Sequence, residues 1–184
     1  MSTSCTQCPA GHSCEDPANF PAVCAEGEYS EAGWAQCRPC PAGYSCADRV
    51  STTACTNSAG SAEYSLAGEA LCTMCPAGSE CSDPSWTPLP CGEGEYSLPG
   101  AKVCTICTAG HKCPTPDTYP IKCQLGQYQV ETGKSFCRPC PPGSTCANAA
   151  QEPQACANGG NGEIKVTDIA SQTCKACPAG YACP

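Results

Sequence analysis

The chain has 184 residues, 23 of them cysteine, and a formal net charge of −8 from 17 acidic and 9 basic side chains. Leu, Ile, Val and Phe together number only 16, so burial alone would not offset a backbone ordering cost of roughly 1–2 kcal/mol per residue. The acidity and the lack of a basic run argue against nucleic acid and anionic membrane surfaces, and no apolar run approaches the roughly 18 residues of a membrane span.

Something covalent must replace the missing core. A chain this rich in cysteine reads as a disulfide scaffold, which requires an oxidising compartment and hence an extracellular or cell-surface setting. Each disulfide stabilises by typically 2–4 kcal/mol, mainly by restricting the unfolded chain. The N-terminus, Met1 to Cys5, has neither the charged nor the apolar region of a signal peptide, as expected of a window from a longer exported precursor.

In chain order, six repeats follow one another, each opened by a variant of C-x2-C-P-A-G-x-x-C. Repeat 1 (1–36) carries Cys5, Cys8 and Cys14, a closing Cys24, and then a second element C-x2-G-x-Y-S-x2-G through Gly27, Tyr29 and Gly33. Repeat 2 (37–71) has Cys37, Cys40, Cys46 and Cys55, with an insertion before Tyr64 and Gly68 and Ala62 where the first glycine is expected. Repeat 3 (72–103) has Cys72, Cys75, Cys81 and Cys91, then Gly94, Tyr96 and Gly100. Repeat 4 (104–136) has Cys104, Cys107, Cys113 and Cys123, then Gly126, Tyr128 and Gly133. Repeat 5 (137–173) has Cys137, Cys140, Cys146 and Cys156 and diverges most, with Asn158 to Gly162, Ile164 in the tyrosine position and Asp168 in that of the second glycine. A partial repeat 6 (174–184) holds Cys174, Cys177 and Cys183.

Between the third and fourth cysteines lie proline-rich links, such as Asp16-Pro17 to Pro21, Asp83-Pro84 to Pro88 and Pro116-Asp117 to Pro120. Proline fixes φ and removes a donor, so these links are expected to be extended, polyproline-like spacers. No interval shows a 3.6-residue apolar period. The expected fold class is therefore an array of small disulfide-rich repeats, elongated and mostly irregular, with short β-hairpins around Tyr-Ser and almost no helix.

The spacing leaves two pairings open. C-x-x-G occurs after both the second and the fourth cysteine, and each copy looks like the start of a loop with a glycine turn. If the next cysteine closes each loop, the short bonds are 8–14, 40–46, 75–81, 107–113, 140–146 and 177–183. The long ones are then 24–37, 55–72, 91–104, 123–137 and 156–174, leaving Cys5 over. The rival is interlocked, first to third and second to fourth, such as 5–14 with 8–24, and leaves Cys177 over. The sequential pattern is adopted, and under it the long bonds cross each repeat boundary.

The stretches Cys24 to Cys46 and Cys91 to Cys113, the latter with Thr108 for the proline, resemble the ephrin-receptor-like cysteine-rich repeat. The spacing is also similar to ciliate surface immobilisation antigens, and the long loop resembles the opening module of tumour-necrosis-factor-receptor repeats. The resemblance implies an extracellular, disulfide-laddered module with structural or adhesive roles and no catalytic residues.

Sharper chemistry is weighed against this. A zinc ribbon needs a second C-x2-C roughly 15–20 residues on, whereas the next pair here is at least 28 away. His12 and His111 occupy a position held elsewhere by Tyr44, Ser79, Ser144 and Tyr181, which marks a loop tip rather than a base. Glu26/Glu28 and Glu93/Glu95 lack the grammar of a calcium loop and read as a solubilising surface. No cofactor, metal or enzymatic activity is expected. Tyr29, Tyr64, Tyr96 and Tyr128 are read as packing over their own disulfides and glycine turns rather than as ligand platforms. Phe20, Trp86 and Tyr119 in the links are the candidate self-association residues. No Asn-x-Ser/Thr sequon is present, which leaves O-linked glycans open. The expected function is a structural extracellular protein forming a fibre, coat or surface appendage by self-association. The alternative is the stalk or ligand-binding ectodomain of a receptor or adhesin.

Overall fold

A computed structural model describes residues 6–16, 18–157, 165–166 and 173–177. Among them there is no helix, and the regular structure consists of ten two-stranded antiparallel sheets whose strands are two residues long. Two kinds of hairpin alternate. A leading hairpin follows the second cysteine: His12–Ser13 pairs with Ala22–Val23, Tyr44–Ser45 with Thr53–Ala54, Ser79–Glu80 with Leu89–Pro90, His111–Lys112 with Ile121–Lys122, and Ser144–Thr145 with Gln154–Ala155. A tyrosine hairpin follows the fourth: Glu28–Tyr29 pairs with Arg38–Pro39, Glu63–Tyr64 with Thr73–Met74, Glu95–Tyr96 with Thr105–Ile106, and Gln127–Tyr128 with Arg138–Pro139. In the fifth of these, Lys165–Val166 pairs with Lys175–Ala176.

That register corrects one expectation. The tyrosine of each earlier hairpin stands opposite the residue after the next repeat's first cysteine, as Tyr128 does Arg138, and in repeat 5 Val166 stands opposite Lys175. Val166, not Ile164, therefore takes the tyrosine's backbone place; Ile164 and Asp168 lie outside the described residues. Spacing alone could not reveal this register, two residues beyond the expected position.

The disulfides join successive cysteines, with each leading-hairpin loop lying between a short bond and the long bond that follows it. The short bonds 8–14, 40–46, 75–81, 107–113 and 140–146 and the long bonds 24–37, 55–72, 91–104, 123–137 and 156–174 are all formed, with Cα–Cα distances of 5.6 to 6.0 Å. These lie within the ordinary range for a disulfide. Cys177 is also disulfide-bonded, while Cys183 and Cys5 lie outside the described residues. The interlocked pairing is excluded for the ten bonds above.

Two compact units result. One comprises Met1–Pro90 with Leu98–Val103, the other Cys91–Ser97 with Cys104–Pro184. In both, the interior is made of cystine. The buried apolar residues are Ala62 and cysteines such as Cys40, Cys75 and Cys107, each inaccessible to solvent, and no described Leu, Ile, Val or Phe is buried.

Between half-repeats, backbone hydrogen bonds recur at fixed positions. The residue after each tyrosine donates its N–H to the turn of the next repeat, as Ser30 to Arg49 (3.1 Å), Ser65 to Pro84 (3.0 Å), Ser97 to Pro116 (2.9 Å) and Gln129 to Ala149 (2.7 Å). The second glycine donates back to the second cysteine of its own repeat: Gly33 to Cys8, Gly68 to Cys40 and Gly133 to Cys107, each at 2.8 Å. Polar backbone groups withdrawn from water are thereby paired, which a chain with so little apolar burial cannot forgo.

Candidate functional site

The links between third and fourth cysteines are not extended spacers. Each is the loop of a leading hairpin, pinned by a polar side chain two residues after the third cysteine. Asp16 accepts from the N–H of Ala18 (2.9 Å) and the amide of Asn19 (2.8 Å). Asp48 accepts from the N–H groups of Val50 and Ser51, both at 2.9 Å, and from the Ser51 hydroxyl at 2.6 Å. Asp83 accepts from the Ser85 N–H and hydroxyl (2.8 and 2.7 Å), Asn148 from the Ala150 N–H (3.0 Å), and Thr115 bonds Thr118 (2.9 Å). An Asp or Asn that bonds its own backbone two residues on is a turn-former, and proline behind it is preset for the same turn. This local geometry prevails over the polyproline preference. The bonds from Ser51, side chain first, lower the Asp48 carboxyl from 3.8 to about 2, and those from Ser85 lower Asp83.

At the tips of these hairpins stand the aromatic candidates. Phe20 is 97% exposed and Trp86 and Tyr119 are each 69% exposed. The second strands of both kinds of hairpin add exposed apolar groups, including Leu89 and Ile121 on leading hairpins and Met74 and Ile106 on tyrosine hairpins.

The tyrosines that follow the fourth cysteines behave differently. All four are half-buried. Tyr64 packs against Ala62 and the Cys75–Cys81 disulfide, which is that of the following loop rather than its own. Tyr29 meets Trp34 with ring centroids 5.5 Å apart, and the Arg38 guanidinium lies 4.4 Å from the Trp34 ring, a cation–π arrangement. In the tyrosine hairpin that joins repeats 4 and 5, the corresponding Arg138 instead reaches Glu131 (3.5 Å), which also pairs with Lys134 (2.7 Å).

Sequence reasoning passed over the residue after the tyrosine. Ser30, Ser65 and Ser97 are buried, as is Gln129 in the same place. The Ser30 hydroxyl donates to the His12 carbonyl and that of Ser65 to the Tyr44 carbonyl, each at 2.8 Å, while Gln129 donates its amide to Phe136 (3.0 Å). The repeated Tyr-Ser dipeptide carried this signal. His12 and His111 likewise begin strands of leading hairpins and are half-buried, rather than standing at loop tips.

A shallow cleft recurs where the turn after the fourth cysteine faces the link of the next repeat. It is lined by Glu26, Arg49 and Leu71 between repeats 1 and 2, and by Glu93, Glu95 and Pro116 between repeats 3 and 4. Between repeats 4 and 5 it is larger, about 460 Å³, and is lined by His111, Lys122, Leu125 and Asn148 among others. In repeat 2 the inserted Asn57 occupies the position of Glu26 and donates its amide to the Ser82 carbonyl (3.0 Å).

No family model matches this chain, and a search of the curated proteins finds no significant match. What stands on the structure alone is an array of repeated disulfide-rich units with short hairpins. Ten formed disulfides point to an extracellular or secreted structural protein, since thiols in reducing compartments are not held this way.

Proposed function

We propose that this chain is a structural extracellular repeat protein whose copies self-associate into a fibre, coat or surface appendage, akin to assemblies of ephrin-receptor-like repeats or ciliate surface antigens. The observation that carries the reading is the presentation of Phe20, Trp86 and Tyr119 at 97, 69 and 69% exposure on hairpin tips. Loops flanked on both sides by a disulfide and pinned by their own side-chain hydrogen bonds hold these rings out at little further entropic cost. Full burial of one such ring contributes roughly 1.5–3 kcal/mol, so several weak contacts per copy suffice for assembly. The Ser- and Thr-bearing tips are also suitable attachment points for O-linked glycans.

The test is the triple variant Phe20→Ser, Trp86→Ser, Tyr119→Ser, examined by sedimentation and electron microscopy without reductant. The proposal expects assembly to be lost and the melting temperature to be unchanged. Assembly that persists while melting falls would place the rings within their own repeats and overturn it. A wild-type chain that stays monomeric at high concentration would favour a receptor or adhesin stalk instead.

A further inference from the structure

The repeats are alike in their described hairpins but not in charge. Repeat 1 holds Glu15, Asp16, Glu26, Glu28 and Glu31 with no Lys or Arg, hence −5. Repeat 4 sets Lys112, Lys122 and Lys134 against Asp117 and Glu131, hence +1. The contrast is concentrated at the recurring cleft. Two residues beyond the closing cysteine, repeats 1 and 3 carry Glu26 and Glu93, and repeat 4 carries Leu125; four residues beyond, they carry Glu28 and Glu95, and repeat 4 carries Gln127. Immediately before that cysteine, Val23 and Pro90 give way to Lys122. The cleft between repeats 4 and 5 is thus the largest of the three and has no carboxylate in its lining, whereas the corresponding clefts hold Glu26 or Glu93 and Glu95.

Two of its features ask for a partner. Leu125 is 71% exposed in a place held by Glu26, Asn57 and Glu93 in repeats 1, 2 and 3. Lys122 is exposed and has no ion pair with any described residue, while Lys134 is already held by Glu131. The same chain displays a complementary group: the leading hairpin of repeat 1, whose Phe20 is almost wholly exposed and whose Glu15 is exposed on the same loop. Asp16 is committed to its own turn, which leaves Glu15 as the carboxylate available for an outside cation.

We infer that the Phe20-tipped hairpin of repeat 1 in one copy docks into the cleft between repeats 4 and 5 of a second copy, with Phe20 covering Leu125 and Glu15 pairing with Lys122. This rests on the self-association reading above and names its contact. Because the two surfaces are different, the contact is heterologous and joins copies head to tail. Charge complementarity sets the register, and the apolar pair supplies contact area.

The full-length chain is assayed by sedimentation without reductant at low and high salt, as wild type, Glu15→Lys, Lys122→Glu, Leu125→Glu and the double variant Glu15→Lys/Lys122→Glu. All of these positions are exposed, and disulfide maps and melting curves verify the fold. Each single variant is expected to weaken association roughly tenfold, salt to do likewise, and the double variant to recover wild-type association because the two charges are exchanged. Assembly of equal strength in all variants, or a double variant no better than the singles, would overturn this interface and leave self-association standing. A wild type that is monomeric at every concentration would overturn both.

Discussion

Exchanging Gly27 for alanine separates the two demands that the repeat makes on its first glycine. Gly27 has φ +79°, and a Cβ built on it would sit 1.8 Å from the carbonyl oxygen of Gly68 in the next repeat. Gly68 has φ +85° with no atom within 4 Å of the corresponding position. Gly68→Ala therefore measures left-handed strain alone, about 1–2 kcal/mol. Gly27→Ala adds a collision that the Gly68 turn can relieve only by retreating roughly 1.5 Å, at the cost of hydrogen bonds worth about 1 kcal/mol each. The first of these is the Gly68 N–H to the Cys40 carbonyl at 2.8 Å. The expected totals are about 1–2 kcal/mol for Gly68→Ala and about 3–4 kcal/mol for Gly27→Ala. Guanidinium unfolding without reductant reads the difference through Trp34, whose stacking on Tyr29 and Arg38 belongs to the same hairpin, while Trp86 is exposed and contributes little change. Equal destabilisation by the two variants would refute the claim that repeats are keyed by close backbone approach at this glycine. Nature makes the compatible exchange at Ala62, which is wholly buried and donates its N–H to Gly100 (2.9 Å), because the left-handed turn has moved to Gly60.

Three further outcomes are expected from the same geometry. Ser65→Ala removes a buried hydroxyl and leaves the Tyr44 carbonyl without its donor, so it should destabilise by about 1–2 kcal/mol in the same unfolding assay; an unchanged midpoint would contradict the role given to Tyr-Ser. Asp48 has a folded pKa lowered from 3.8 to about 2, so its turn is favoured fully above pH 4 and the contribution disappears as pH falls towards 2; amide shifts of Val50 and Ser51 should titrate near 2, and a midpoint near 4 would contradict the capping bonds. Arg38→Ala removes the cation over Trp34 and should alter the Trp34 emission while leaving assembly intact, whereas lost assembly would assign that stack to an interface.

The fold was legible where chemistry is local. Cysteine spacing narrowed the bonds to two patterns, and the two C-x-x-G motifs favoured the sequential one, because a glycine turn starts the loop that the next cysteine closes. The hairpin at Tyr-Ser was legible for the same reason. Less visible was anything that depends on a partner one repeat away. The hydroxyl of Ser30 finds the His12 carbonyl 18 residues back, and its N–H finds Arg49 in the next repeat, contacts that no local pattern announces. The links misled because proline content was weighed above the polar side chain two residues after the third cysteine; Asp48 and Asn148, in links without the same proline pattern, form the same kind of turn. Exposure of Phe20, Trp86 and Tyr119 could be established only once the hairpins carrying them were in place.

The central claim is that alternating short and long loops, each closed by the next cysteine, replace an apolar core. Proteolytic peptide mapping without reduction tests it directly. The account predicts Cys40–Cys46 with Cys91–Cys104 and the corresponding bonds in the other repeats, and Cys37–Cys46 with Cys40–Cys55 would contradict it.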